Sequence, residues 1–346
     1  MTEMENTPHT LFQKAAEAGA SDVHLAVGSP ILFRIDGDLL PQTKQVVTAA
    51  GAESFVKAVL GEAKYKDLRE KREVDASFET KDGTRLRINC HYERDHVGLV
   101  ARIIPKEIPS LGDLGLTGVI EELCKLEEGL VLFTGPTGEG KSTSLAAILQ
   151  HIRGNKSVNI VTLEDPIEFV FPAGEGIVRQ REYGSDFLSF PEAMKHVLRQ
   201  DPDVVMVGEM RDPETVGAAL TLAETGHLIL ATLHTPNTTQ TVARIIDLFP
   251  PHQQSQARSQ LSFSLKAVIS QKLIPGKDGG RVALREILLN TPAVAHTIRE
   301  SRTAELKSVL QTGESVGMLT FEKAAKKLYK DGAITKEIYE AIVEML

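Results

Sequence analysis

Residues 129–143 constrain this chain more than any other stretch: Gly129-Leu-Val-Leu-Phe-Thr-Gly135-Pro-Thr-Gly-Glu-Gly140-Lys-Ser-Thr143. The apolar run Leu130 to Phe133 ends in Gly135-x-x-x-x-Gly140-Lys141-Ser142, and a helix-like segment follows from Thr143 to His151. A strand that feeds a glycine-rich turn and opens a helix is the context in which this pattern cradles phosphates. Gly135, Gly138 and Gly140 let successive N–H groups point inward, and the helix start adds the positive end of its dipole. Lys141 is placed to reach β- and γ-phosphates, and the Ser142 hydroxyl to complete a Mg²⁺ shell. Pro136, Thr137, Glu139 and Thr143 fill the rest of the loop. The stretch predicts a nucleoside triphosphate site.

A chain of 346 residues is long enough for one large or, by expectation, two domains with cores of their own. Its 42% apolar and 25% charged residues are those of a water-soluble globular protein. A net charge of −8 without a dense Lys/Arg block argues against a nucleic-acid partner. No run approaches the ~20 apolar residues of a membrane span, and no signal-peptide core is visible. Cys90 and Cys124 are far apart, so neither a disulfide framework nor a zinc ribbon is supported, and the expectation is a reduced, cytoplasmic setting.

Two kinds of pattern divide the chain. Residues 10–19 read as a short helix with Leu11, Ala15 and Ala18 on one side. Alternation then sets in at Val23, Leu25 and Val27 and at Ile31, Phe33 and Ile35, ahead of the turn signal Asp36-Gly37. A helix is expected over about 51–70, and a hairpin through Asp82-Gly83, where Leu86, Ile88 and Cys90 alternate with Arg85, Arg87 and Asn89. With a further strand at 97–104, this predicts a small antiparallel α+β domain over 1–105. The stretch from Pro105 to Leu116 has two prolines, two glycines and no period, and reads as a linker over 106–116. From 117 to 346 short apolar runs recur at 130–133, 158–163, 204–207 and 228–233, with helix-period residues such as Met194, Val197 and Leu198 between them. Such runs predict an α/β domain whose mostly parallel sheet is covered on both faces. Two amphipathic segments close the chain: Phe321, Ala324, Ala325 and Leu328, then Ile338, Ala341, Ile342 and Met345.

In an open parallel sheet, ligands bind beyond the carboxyl ends of the strands. Glu164-Asp165 follows the second run, Gly208-Glu209 the third and His234 the fourth, on the rim expected for Lys141. Glu209 is the candidate to orient or deprotonate the attacking water. Gly208 stands where an aspartate usually holds the metal through water, which leaves Glu164 and Asp165 to support Mg²⁺, directly or through water. Asp203, at the start of its run, is read as structural. His227 and His234 are seven residues apart and flank the fourth run, on opposite faces of an ideal strand. Metal ligation is not supported. A capping or core role, sensing of the γ-phosphate and a link to a neighbouring subunit are left open.

These residues together resemble the secretion ATPase superfamily. Gly135 to Thr143 is similar to its Walker A, Thr162 to Glu168 to its aspartate box, Asp201 to Thr215 to its Walker B, and Ala223 through His234 to its histidine box. More narrowly the chain resembles the PilT-type retraction motors of type IV pili nearly end to end, through Ala20 to His24, Arg34 to Gly37, Arg87 to Asn89 and Gly313 to Leu319. That resemblance implies a PAS-like N-terminal domain, a RecA-like P-loop ATPase domain with C-terminal helices, and nucleotide between the two. It implies a homohexameric ring that uses ATP and Mg²⁺, docks peripherally on an inner-membrane platform protein at the pilus base, and has no nucleic-acid partner. On the matching positions, Glu209 is the catalytic acid/base and Glu164 supports metal or water. His234 belongs with the catalytic group and His227 with the nucleotide contacts. Arg87, Arg94 and Arg102 are the arginines that would reach toward the triphosphate. Assembly motors carry a longer N-terminal extension and a four-cysteine zinc site, so the implication is retraction. Two positions depart from the family pattern. Ala295, His296 and Thr297 replace Arg, Asn and Leu in the stretch Ala293 to Glu300 that otherwise follows the retraction motif. Glu139 stands where a small residue is usual; turned inward it would weaken nucleotide binding, turned away it would not.

Overall fold

The structure is a computed structural model that describes residues 7–35 and 37–345; Asp36 of the expected turn lies outside the described residues. It divides into two compact units, Met1–Glu107 with Glu168–Val170, and Ile108–Ile167 with Phe171–Leu346.

The first unit begins with α1 (Pro8–Glu17), which starts where sequence favours it: Thr7 accepts from the Thr10 N–H and Pro8 takes the first turn. Next come β1 (Asp22–Leu25), β2 (Leu32–Ile35), β3 (Asp38–Pro41), α2 (Ala49–Lys71), β4 (Glu73–Glu79), β5 (Arg85–Glu93) and β6 (His96–Ile104). The helix α2 is capped by Thr48 and broken at Gly61, where φ is +69°. The six strands form one antiparallel sheet in the order β3-β2-β1-β6-β5-β4. Alternation fixes which face is wet: Leu86, Ile88 and Cys90 of β5 and Val97, Leu99 and Ala101 of β6 are buried with Phe12, Val56 and Leu68 of the helices in one core. Complete burial of a side chain such as Phe12 stabilises by about 1.5–3 kcal/mol. Ala18, expected on the buried side of the first helix, is exposed because that helix ends at Glu17.

The second unit runs α3 (Val119–Leu123), β7 (Gly129–Thr134), α4 (Lys141–Asn155), β8 (Asn159–Glu164), β9 (Ile177–Glu182), α5 (Phe190–Val197), β10 (Val204–Val207), α6 (Pro213–Glu224), β11 (Leu228–Leu233), α7 (Thr238–Asp247), α8 (Pro251–Ser264), β12 (Leu265–Pro275), β13 (Arg281–Leu289), α9 (Pro292–Arg299), α10 (Leu306–Thr312), α11 (Phe321–Lys330) and α12 (Lys336–Met345). Its seven strands lie in the order β13-β12-β7-β11-β10-β8-β9, parallel except for β13, which pairs antiparallel with β12. Both faces are covered, which is why the strand runs are continuous rather than alternating. Leu130, Leu132, Val205 and Val207 turn toward α6 and α7, and Val131, Phe133, Val204 and Met206 toward α4. Phe321, Ala325 and Ile342 of α11 and α12 pack with Leu284 of β13, whereas Met345 is exposed.

Three expectations change. Leu111 and Leu116, inside the stretch read as a linker, are buried with Ile120 and Phe133 in the second unit; turns rather than a helix carry them, so no period betrays them. Leu198 lies beyond the end of α5 and is exposed. The strands β3, β9, β12 and β13 were not among the runs picked out from sequence; β12 mixes Lys266, Ser270, Gln271 and Lys272 into its apolar residues.

Candidate active site

Every residue of β7 is buried, and the chain leaves it at Gly135 with φ +141°. A Cβ there would sit 2.3 Å from the Gln271 carbonyl, so only glycine lets β7 and β12 approach at this point. Gly140, at φ +73°, is the left-handed N-cap of α4, whose first turn holds Lys141, Ser142 and Thr143. Pro136, Thr137 and Gly138 form the exposed crest. The buried Lys141 donates from Nζ to the carbonyls of Gly135 (2.6 Å) and Pro136 (2.8 Å), holding the loop rounded. Glu139 turns away from the crest: its carboxylate accepts from the Leu273 N–H of β12.

Strand order places four chain ends on one rim, those of β7, β11, β10 and β8, about 4.8 Å apart from strand to strand. Glu164 ends β8 and is only 7% exposed; its Oε1 accepts from Thr162 Oγ1 (2.6 Å) and Gln180 Nε2 (3.1 Å). Gly208 follows β10, and its N–H donates to the Leu163 carbonyl at 2.7 Å. A Cβ at 208 would come within 3.0 Å of that carbonyl and 3.3 Å of Glu164 Cα, which explains the glycine at this place. The next residues are tied to β11, since Met210 N–H donates to Thr232 O (3.1 Å) and Thr232 Oγ1 to Gly208 O. Asp212 caps α6, accepting from Thr215 N–H at 2.8 Å and Thr215 Oγ1 at 2.7 Å. Between these anchors Glu209 projects toward His234.

Glu209 Oε1 lies 3.2 Å from His234 Nε2, and Oε2 lies 2.7 Å from Arg211 Nη2. Burial pushes its pKa up, but the Arg211 hydrogen bond and the charges of His234 and Arg211 outweigh it and hold the carboxyl below its usual range. The same contact raises the Arg211 pKa. A cavity lined by Glu209, Arg211, His234, Thr235 and Arg244 opens here, with Met210, Leu233 and Leu248 as its apolar part. Beneath the rim runs a chain of buried hydroxyls: Thr235 to Thr241 (2.6 Å), Thr241 to Thr134 (3.4 Å) and Thr134 to Ser270 (2.6 Å).

Not every expected residue is in this group. His227 sits at the other end of β11, where Nδ1 is 3.1 Å from Leu222 O and 3.2 Å from Thr225 Oγ1. Its distance from His234 along an extended strand is about 20 Å. His227, expected among the nucleotide contacts, thus stands at the start of β11, at the opposite end of that strand from His234. Asp203 shares that end, where its Oδ2 accepts from the Asn159 N–H at 2.7 Å. Asp165 follows Glu164 and is exposed, with Arg211 among the charges it interacts with.

Arg87, Arg94 and Arg102 belong to the first unit. Arg102 donates from Nε to Asp22 Oδ1 at 2.9 Å, and Arg87 lies directly opposite Arg102 in the β5–β6 ladder. Arg94 and Asp95, both at positive φ, make the two-residue turn at the tip of that hairpin. Sequence reading gave no role to Arg211, Gln180 or Gln271. Arg211 stands two places after Glu209 in the same motif, and a polar pair inside an apolar run marks Ser270-Gln271. No local signal points to Gln180. The rim's oxygen donors, the Ser142 hydroxyl and the Glu164 and Asp165 carboxylates, are of the hard kind Mg²⁺ takes. Among the described residues no three of His, Cys, Asp or Glu gather to hold an ion.

Comparison with known proteins identifies the family. A model of the family described as Type II/IV secretion system protein matches residues 2–279. The type IV pilus retraction ATPase PilT of Pseudomonas aeruginosa is 43% identical over 327 residues, covering 94% of this chain and 95% of that protein. The type IV pilus ATPase PilU of the same organism is 40% identical over 328 residues, covering 94% of this chain and 86% of that protein. A crystal structure of the pilus retraction motor PilT with bound ADP superposes with a TM-score of 0.90 at 42% identity, covering 97% of this chain and 96% of that one. The chain belongs to the type II/IV secretion system protein family, among its pilus retraction ATPases.

Proposed function

We propose that this chain is an ATP-hydrolysing motor of type IV pilus retraction, the activity behind twitching motility. The observation that carries the reading is Glu209, held ionised by Arg211 and His234 on the rim where the phosphate loop ends. The backbone of Gly135, Pro136, Thr137, Gly138, Glu139 and Gly140 would wrap the β- and γ-phosphates. Lys141 would exchange its two loop carbonyls for phosphate oxygens, and Ser142 and Thr143 would meet the metal and the α-phosphate side. Bound Mg²⁺ would neutralise charge on the phosphates, held by Ser142 and, through water, by Glu164 or Asp165. Glu209 accepts a hydrogen bond from the attacking water; its lowered basicity suits orienting that water more than removing its proton early. His234 fixes the Glu209 rotamer and lies where it would sense the terminal phosphate.

Arg102, with Arg87 and Arg94, would supply positive charge from the first unit, in a ring of six chains. His227, remote from its own loop, is assigned to contacts between chains rather than to its own nucleotide. Among the described residues no helix is long and apolar enough to cross a membrane. In this reading the motor acts from the cytoplasm, docked on a platform protein of the inner membrane.

An accessory role beside a main retraction motor is the second reading, favoured by 40% identity to PilU. The altered stretch bears on it through α9: Thr297 is buried with its Oγ1 on Ala293 O at 2.8 Å, while His296 is exposed. Deleting the gene and counting pili tests the function. Excess pili without twitching is expected of the main motor, and unchanged pilus number with weakened movement of the accessory one. Bald cells would contradict both.

A further inference from the structure

The phosphate loop is gripped from the β12 side by side chains to which nothing so far gives a part. Gln271 and Arg285 face each other across the β12–β13 ladder and are 2% and 7% exposed. Gln271 Oε1 accepts from Ser144 Oγ (2.9 Å) and from Arg285 Nε (2.7 Å). Its Nε2 donates to the Glu139 carbonyl at 2.6 Å. Glu139 and Ser144 bracket Lys141, Ser142 and Thr143, so one amide holds both ends of the phosphate-binding turn.

Two donors converging on Oε1 settle which way that amide points, leaving Nε2 for Glu139. Arg285 is thus what orients Gln271. Its guanidinium is an expensive tool for the purpose. It is buried, no carboxylate pairs with it among the described residues, and desolvation pulls its pKa down to about 10. A neutral donor could orient an amide. What the longer fork adds is reach: Arg285 Nη1 donates to the Gly115 carbonyl at 3.2 Å. Gly115, at φ +61°, lies in the segment that follows Glu107, where the chain passes from the main stretch of the first unit into the second.

We propose that Gln271 and Arg285 are positioning residues: Gln271 fixes the phosphate loop, and Arg285 couples its state to the segment around Gly115. This rests on the nucleotide reading above. A loop that tightens on phosphates shifts Glu139 and Ser144, the Gln271 amide follows both, and Arg285 passes the change to the Gly115 carbonyl. A motor needs such a link, since chemistry at the loop must be felt where the two units join in sequence.

The test is hydrogen exchange of residues 112–118 in the full chain, with and without Mg-ADP, alongside ADP affinity by titration of a fluorescent ADP analogue. In the parent chain ADP should slow exchange of this segment by about tenfold. Arg285→Met should lose that protection even at saturating ADP; its affinity should fall by less than that of Gln271→Leu, since the amide loses its orienting donor but keeps its Ser144 and Glu139 partners. Gln271→Leu should weaken ADP binding by about tenfold, because the loop loses both anchors. If Arg285→Met does not fold, Arg285→Lys decides: one ammonium cannot span both acceptors, so protection should at least halve. Parent-like protection in the arginine variant, parent-like affinity in Gln271→Leu, or no ADP protection in a parent that binds ADP would overturn the proposal. A parent that binds no ADP would overturn the nucleotide reading itself.

Discussion

The two rims of the seven-stranded sheet carry the same kinds of side chain to different ends. At the starting rim, Asp203 accepts a main-chain N–H of Asn159, the Asn159 amide donates to the carbonyls of Gln200 (2.7 Å) and Asp201 (2.5 Å), and His227 meets a carbonyl. The polar contacts there run mainly to main-chain groups, and the result is a seam between strands. At the finishing rim, Glu209 meets only side chains, Arg211 and His234, and faces a cavity. An acid satisfied by the backbone is a fastener; an acid satisfied by mobile side chains can exchange them for substrate. Position along the strand decides which it becomes, because a parallel sheet points every helix start and every loop after a strand at one edge.

The sharpest way to break this contrast is a matched pair of amides. Glu209→Gln should lower kcat by about a thousandfold with nucleotide binding retained, the size of effect seen when a water-orienting or charge-stabilising group is lost. Asp203→Asn should leave kcat within about twofold and lose about 1 kcal/mol of stability for one weakened hydrogen bond. Steady-state ATPase rates and denaturant unfolding check both. Equal losses of rate would erase the distinction between the rims.

Gly208 sharpens it sterically. Gly208→Ala puts a methyl 3.0 Å from the Leu163 carbonyl and should lower stability by about 1–3 kcal/mol, measured as the shift in unfolding midpoint. No loss would mean that the strands can part there, leaving the choice of glycine unexplained. The histidines come next: His234→Ala should reduce kcat about tenfold and His227→Ala less than twofold in the isolated chain. A larger effect of His227 in the assembled ring than in the isolated chain would support its assignment to contacts between chains.

The effect of Arg211→Met is small at neutral pH and is read in the pH profile. Glu209 has a lowered pKa, so its ionised form persists until pH falls below the ordinary carboxylate range. Removing Arg211 leaves burial less opposed, the pKa rises, and the acid limb of kcat should move to higher pH while the rate near pH 7 changes by less than about threefold. An acid limb that stays put would show that Arg211 does not set the charge of Glu209.

How far the sequence reached follows from how local each feature is. The loop from Gly135 to Thr143 was legible because strand, turn and helix are contiguous. Glu164, Glu209 and His234 were legible because each stands within two residues of the end of an apolar run. In the first unit, alternation through Leu86, Ile88 and Cys90 marked the buried face for the same reason. His227 was placed among the nucleotide contacts through the resemblance alone, although its position just before Leu228 already sets it at the opposite end of the run from His234. Gln271 and Arg285 stayed hidden because they meet the loop through a strand more than a hundred residues away in sequence. Leu111 and Leu116 were passed over because turns bury them without a period.

The most direct test of the central claim is the structure of the assembled protein with Mg²⁺ and a non-hydrolysable ATP analogue. The expected result is a terminal phosphate on the amides of residues 137–143, with a water held between it and the Glu209 carboxylate. A terminal phosphate out of reach of Glu209, even through that water, with another acid in its place, would contradict the claim.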